Sequence, residues 1–144
     1  MLYFDAAFIA KFYLQEPESD AIRSFVEEVP GIASLVIGRL EAELVFSRKL
    51  REGVLTPRGH EVLIDQFKID CEDGLWTWLP ATDDLVASAQ EMTRRLPTGV
   101  FLRSLDALHL TCARRHGHEH IYSNDRHLLL AAPHFGLQPG SFSR

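Results

Sequence analysis

The sequence predicts an α/β fold with a mainly parallel central sheet covered by helices on both faces. Short apolar, β-prone runs alternate along the chain with longer segments of helical period, and strands separated by helices pair in parallel. Apolar residues make up 46% of the 144, enough for a packed core. No internal repeat, low-complexity tract or long Pro/Gly linker divides them, so one domain over residues 1–144 is expected.

In chain order, LYF begins a buried strand and AAFIAKFYL a helix. Pro17, Glu18 and Ser19 open a second amphipathic helix running to about Glu28. Pro30 and Gly31 break the chain before IASLVI, a short apolar strand. A longer helix follows through Leu50 and ends at Gly53. Thr56 and Pro57 carry the cap-then-proline signature that starts the next helix. After Asp73 and Gly74, LWTWLPA reads as a strand from its β-prone and aromatic residues. Asp83 is expected to cap another helix, Leu105 to Arg115 to form the next, and His120 to Tyr122 to give a short strand before a helix at about Arg126 to Ala131.

The formal charge of −5 excludes a protein that coats nucleic acid through a broad basic surface. It does not exclude a nucleic-acid enzyme, because bound cations would neutralise an acidic cluster locally. Arg48, Lys49 and Arg51, Arg94 and Arg95, and Arg114 and Arg115 could steer a phosphate backbone, or simply solvate helix faces. No apolar run reaches the roughly 18 to 20 residues that cross a bilayer. The start MLYFDAAFIAKFY lacks a basic leader, so a cytoplasmic protein is expected. Cys71 and Cys112 read as reduced thiols without a catalytic role.

Four acids stand where carboxylates could share one pocket. Asp5 and Asp125 close the runs LYFD and IYSND at the carboxyl edge of a parallel sheet, where such folds place their ligand crevice. Asp106 lies in the first turn of a helix, whose dipole favours an ionised acid. Each aspartate taken singly reads equally as a helix cap or first-turn acid, worth about 1 kcal/mol. Glu41 is different. At about 100° per residue it falls between Ile37, Leu44 and Val45 on the apolar face, with Glu43 on the opposite side. A buried glutamate costs several kcal/mol unless it is ion-paired, with Arg48 or Arg103 for example, or bound to metal. Converging carboxylates call for a hard divalent cation, and so for metal-dependent hydrolysis.

The segments YFDAAFIAKFYLQEPESD, GRLEAELVFSRKLREG, LRSLDALHLTCA and IYSNDRHLLLAA resemble successive motifs of PIN-domain ribonucleases, and in particular the VapC-type toxins of bacterial toxin-antitoxin pairs. The resemblance runs from Leu2 to about Gly136, and LDALHL is its most specific piece. It implies a PIN-like three-layer α/β/α fold. It also implies that Asp5, Glu41, Asp106 and Asp125 bind Mg²⁺ or Mn²⁺, with Ser123 orienting a water or a carboxylate. Ala7 departs from the family, which commonly has Ser or Thr there.

The function implied is hydrolysis of RNA phosphodiesters by metal-activated water, leaving a 5′ phosphate and a 3′ hydroxyl. The partners implied are the RNA, a small VapB-type antitoxin whose tail fills the acidic groove, and a second copy of the chain. The dimer surface would use apolar residues of the early helices and of the segment from Val54 to Phe67.

Two other readings remain open at this level. An aspartyl-nucleophile phosphatase also ends its first strand in an acid, but places a second aspartate where Ala7 stands. A degenerate domain that only binds a partner protein is the non-enzymatic alternative. His116, His118 and His120 alternate as zinc ligands can, yet Gly117 marks a helix end and a solvated turn. His109 reads as a packing residue, and Trp76 and Trp78 as core or subunit-contact residues.

Overall fold

The computed structural model describes residues 1–140, and the last four positions of the expected 1–144 domain lie outside the described residues. The elements are β1 (Leu2–Tyr3), α1 (Ala6–Tyr13), α2 (Ser19–Glu28), β2 (Ile32–Leu35), α3 (Ile37–Arg51), α4 (Pro57–Glu72), β3 (Trp76–Leu79), α5 (Asp83–Arg94), α6 (Ser104–Arg115), β4 (His120–Ile121), α7 (Arg126–Ala131), a 3₁₀ turn (Ala132–Phe135) and β5 (Gln138–Pro139).

β1, β2 and β3 pair in parallel, with Leu2 opposite Ile32 and Ile32 opposite Trp76. β4 and β5 form a second parallel pair. A parallel bridge between Phe4 and Tyr122 joins the two pieces. The Tyr122 N–H donates to the Tyr3 carbonyl at 2.9 Å and the Asp5 N–H to the Tyr122 carbonyl at 3.0 Å. The spatial order is therefore β3-β2-β1-β4-β5, and the winding reverses between β1 and β4. In open α/β sheets that reversal opens the crevice for ligand beyond the strand ends.

Alternation along the strands sends side chains to two cores, as the period of two requires. On one face Phe4, Ile32 and Trp76 pack with Phe8, Ile9, Ile22, Phe46 and Phe67 of α1 to α4. On the other, Tyr3, Ala33 and Leu35 pack with Leu85, Leu110 and Leu128 of α5 to α7. The result is the three-layer α/β/α arrangement expected from the sequence. A partly buried polar chain ties the first layer together: the Trp76 indole donates to the Tyr13 hydroxyl at 2.7 Å, and that hydroxyl donates to Asp70 at 2.6 Å.

Most boundaries fall where turn chemistry puts them. The Thr56 hydroxyl accepts from the Gly59 N–H at 2.9 Å, with Pro57 in the first helical turn. Gly117 (φ 79°) ends α6 in the left-handed region, so the histidine-rich stretch is a turn. Three expectations are corrected. The cap of α5 is Thr82, whose hydroxyl accepts from Leu85, with Asp83 one residue inside. The 3₁₀ turn and β5 were not anticipated, because Pro133 interrupts the helical pattern and a two-residue strand has no period of its own. The third concerns α3, whose buried residues are Gly38, Ala42 and Phe46, while Leu40 and Leu44 are exposed. Glu41 thus lies at the margin of the buried stripe, not within it.

Candidate active site

Three of the four acids sit at helix starts around the β1/β4 reversal. Asp5 follows β1 and caps α1, its Oδ1 accepting from the Phe8 N–H at 2.8 Å. Its Oδ2 accepts a short hydrogen bond from the Ser123 hydroxyl, across from the neighbouring strand end. Ser123 in turn accepts from the Asp125 N–H at 2.9 Å. Asp125 caps α7, its Oδ1 accepting from the N–H groups of His127 and Leu128 at 2.9 and 3.1 Å. Asp106 lies in the first turn of α6. The cap readings and the shared-site reading are therefore compatible, since the same N-termini that accept a cap aim three carboxylates at one edge.

Glu41 reaches this edge from α3. Its Oε1 lies 2.7 Å from His109 Nε2, and the side chain is 25% exposed. Glu41 also acts electrostatically on Asp5, whereas Glu43 acts on Cys71 in the first core. The structure thus brings Glu41, not Glu43, to the other acids. Neither arginine expected as its ion-pair partner holds it. Arg48 lies near Glu52, with Nε 3.7 Å from the carboxylate, one helical turn further along α3.

Arg103, just before α6, spans two other acids, with Nε 3.2 Å from Asp106 and Nη2 2.7 Å from Asp125. Sequence reasoning considered this residue only as a partner for Glu41, and its spacing of three before Asp106 was the available signal. His109 was also undervalued as a packing residue. It is one turn beyond Asp106 on α6 and is the buried partner of Glu41. No neighbouring sequence feature pairs it with residue 41.

The electrostatics set Asp5 apart. Burial lifts its carboxyl from the ordinary 3.8 to about 6, against the opposing pull of the Ser123 hydrogen bond, nearby His109 and the Phe8 N–H. Burial likewise raises Asp106, the hydrogen bond from Arg103 opposes it, and the charge of Asp125 adds to the rise. An acid this enclosed, with no cationic side chain bonded to it, is under-neutralised once ionised.

The donor set consists of hard carboxylate oxygens, which suit Mg²⁺ or Mn²⁺ rather than a thiophilic ion. A guanidinium between Asp106 and Asp125 indicates that this edge favours positive charge. As the side chains stand, no group of three or more metal-ligating residues closes into a cage among the described residues. Each acid instead has a hydrogen-bond partner within the protein. A cleft of about 450 Å³ lies elsewhere, lined by Met1, Leu2, Leu79 and the turn from His116 to His120, and contains none of the four acids.

An α/β/α sheet with acids gathered at its winding reversal defines a class of proteins built to hold ligand at that edge. Within that class the chain belongs to the PIN-domain family, whose model matches residues 2–132. Solved structures share the fold at low identity. Mycobacterium tuberculosis VapC20, a Sarcin-Ricin loop cleaving toxin, superposes with a TM-score of 0.69 at 16% identity, covering 96% of this chain and 100% of its own. FitAcB from Neisseria gonorrhoeae gives 0.75 at 13% identity, covering 99% and 98%. FitAB bound to the IR36 DNA fragment gives 0.68 at 12%, covering 97% and 94%. No curated protein matches the chain by sequence. The expected PIN-like fold is borne out across the described residues.

Proposed function

We propose that the chain is a metal-dependent endoribonuclease acting as the toxin of a toxin-antitoxin pair. One observation carries this reading: a chain of the PIN family joins Asp5 and Asp125 through Ser123 at the winding reversal, with Asp106 and Glu41 directed to the same edge. The likeness in fold to VapC20 and FitAcB supports the toxin assignment.

Asp5, Glu41, Asp106 and Asp125 would hold one or two Mg²⁺ or Mn²⁺ ions. A cation bound there would act as a Lewis acid, activating water and offsetting charge on the phosphodiester. The protein groups prepare that chemistry. Ser123 and the Phe8 N–H fix both oxygens of Asp5, so its rotamer is set before ligand arrives. The α7 N–H groups hold one oxygen of Asp125 and leave the other to Arg103. Arg103, with its side chain 63% exposed, can turn from carboxylate to the phosphate of an incoming RNA.

Residues 1–144 are taken as one PIN unit that pairs with a second copy and a VapB-type antitoxin in the cytoplasm. Among the described residues no helix is long and apolar enough to cross a membrane.

The direct test is cleavage of RNA by the purified protein with and without Mg²⁺. Asp5→Asn and Asp106→Asn should each abolish metal-dependent cleavage, and undiminished cleavage by both would rule the mechanism out. Expression with and without the neighbouring open reading frame, with mapping of RNA 5′ ends, separates the readings further. Growth arrest with discrete cuts supports a toxin. Binding without toxicity supports the partner-binding alternative, in which the four acids do no chemistry.

A further inference from the structure

The buried polar groups behind Glu41 form a chain that the proposed chemistry does not use. It starts at the backbone of β2, where the Leu35 N–H donates to the Tyr3 hydroxyl at 3.0 Å. The hydroxyl lies 2.8 Å from His109 Nδ1, and His109 Nε2 lies 2.7 Å from Glu41 Oε1. Tyr3 is fully buried and His109 is 2% exposed, so water does not complete any of these bonds.

Donor and acceptor counting gives this chain a direction. A phenol has one proton, and burial keeps it attached by raising its pKa well above the ordinary value. With the Leu35 N–H directed at the oxygen, the proton is free to point at His109 Nδ1. An ionised carboxylate only accepts, so Glu41 Oε1 takes Nε2–H, and in the neutral imidazole Nδ1 is then the acceptor for the Tyr3 proton. The opposite tautomer would set a lone pair against the Glu41 carboxylate, a mismatch of about 1 to 3 kcal/mol, and would turn the Tyr3 proton away from the imidazole.

Gly38 lets α3 lie close to this chain. A Cβ there would press on Ser34 Oγ at 3.0 Å and reach His109 Cε1 at 3.4 Å. Glu41 is three residues further along the same helix face.

We propose that Tyr3 is a positioning residue for the metal site, fixing the tautomer of His109 so that its Nε2–H holds the Glu41 carboxylate in place. This rests on the reading of Glu41 as a metal ligand. Tyr3 never touches the ligand; it acts through the imidazole from the opposite side of the ring.

Tyr3→Phe removes only the hydroxyl, and thermal unfolding confirms that the variant is folded. Two quantities are read: the His109 tautomer by ¹⁵N NMR of the metal-free protein, and Mn²⁺ affinity by electron paramagnetic resonance. Wild-type His109 should be protonated on Nε2, and Tyr3→Phe should shift it toward Nδ1–H and weaken Mn²⁺ binding about tenfold, as loss of an outer contact does elsewhere.

His109→Gln supplies a donor to Glu41 that does not depend on Tyr3. In that background adding Tyr3→Phe should leave Mn²⁺ affinity unchanged. Should Tyr3→Phe fail to fold, the wild-type His109 tautomer decides the matter. A wild-type Nδ1–H tautomer overturns the proposal, as does Mn²⁺ affinity in Tyr3→Phe equal to wild type, or an undiminished Tyr3→Phe effect in His109→Gln. Glu41→Gln separates the two levels. If it binds Mn²⁺ as wild type does, the metal reading of Glu41 fails and the positioning role fails with it. If it binds weakly while Tyr3→Phe does not, only the positioning role fails.

Discussion

Asp5 is held buried at the expense of its own ionisation. Its raised pKa means the folded chain retains this proton to higher pH than the unfolded chain. Between about pH 4 and 6 the folded state therefore binds more protons, and stability falls as pH rises through that window. A rise of about two units corresponds to roughly 3 kcal/mol once the group is ionised. Asparagine retains the capping oxygen without the charge. Metal-free Asp5→Asn should therefore gain stability over wild type as pH rises from 4.5 to 8, by about 2 kcal/mol in urea denaturation, since part of the difference is already present at pH 4.5. An equal difference at both pH values would contradict this account of Asp5. At this scale the sequence singles out Asp5, Glu41, Asp106, Asp125 and Ser123 as candidates from local patterns and the motif resemblance. It could not pair Arg103 with Asp125, or His109 with Glu41, because those contacts join residues 22 and 68 positions apart, whereas the pairing of Arg103 with Asp106 is local.

At the level of elements, caps and glycine turns were legible because their signals are local. Thr56 with Pro57 and Gly117 each act within one turn of themselves. The face of α3 was read less well. The helical wheel places Ile37, Leu44 and Val45 on the apolar face, yet Leu44 is exposed and the buried residues are the small Gly38 and Ala42 with Phe46, since close approach to the sheet selects size over hydrophobicity. Glu41, preferred over Glu43 from the helical wheel, lies at the rim of the stripe, bonded to His109. Gly38→Val tests the close approach. Its side chain must displace Ser34 or the His109 ring, and overpacking of this kind costs about 1 to 3 kcal/mol. A lowered urea midpoint with unchanged slope is expected, and an unchanged midpoint would show that α3 does not close on His109. Alanine is a poorer probe, because about 1 kcal/mol of helix propensity gained over glycine masks the strain.

For the whole molecule, the alternation of strands and helices fixed the layers, and the motif resemblance fixed the family. The strand order, with β1 in the middle, came only from the structure, and it sets the ends of β1 and β4 side by side, so that Ser123 links Asp5 and Asp125. The same view shows large apolar side chains exposed along α3 and α4: Leu40, Leu44, Val62 and Ile69, with Val54 in the connection. Surface clustering of this kind favours self-association. On the proposed reading this is the dimer face, so Leu44→Asp with Val62→Asp should elute as a monomer where wild type elutes as a dimer. A wild-type monomer, or a dimer that survives both charges, would place the contact elsewhere or remove it.

The central claim is that Asp5, Glu41, Asp106 and Asp125 hold divalent cation together. Mn²⁺ titration followed by electron paramagnetic resonance, on wild type and on Asp5→Asn, Glu41→Gln, Asp106→Asn, Asp125→Asn and Glu43→Gln, tests it most directly. The account predicts that each of the first four variants weakens binding and that Glu43→Gln binds as wild type does. Wild-type affinity in those four, or a loss in Glu43→Gln matching theirs, would contradict it.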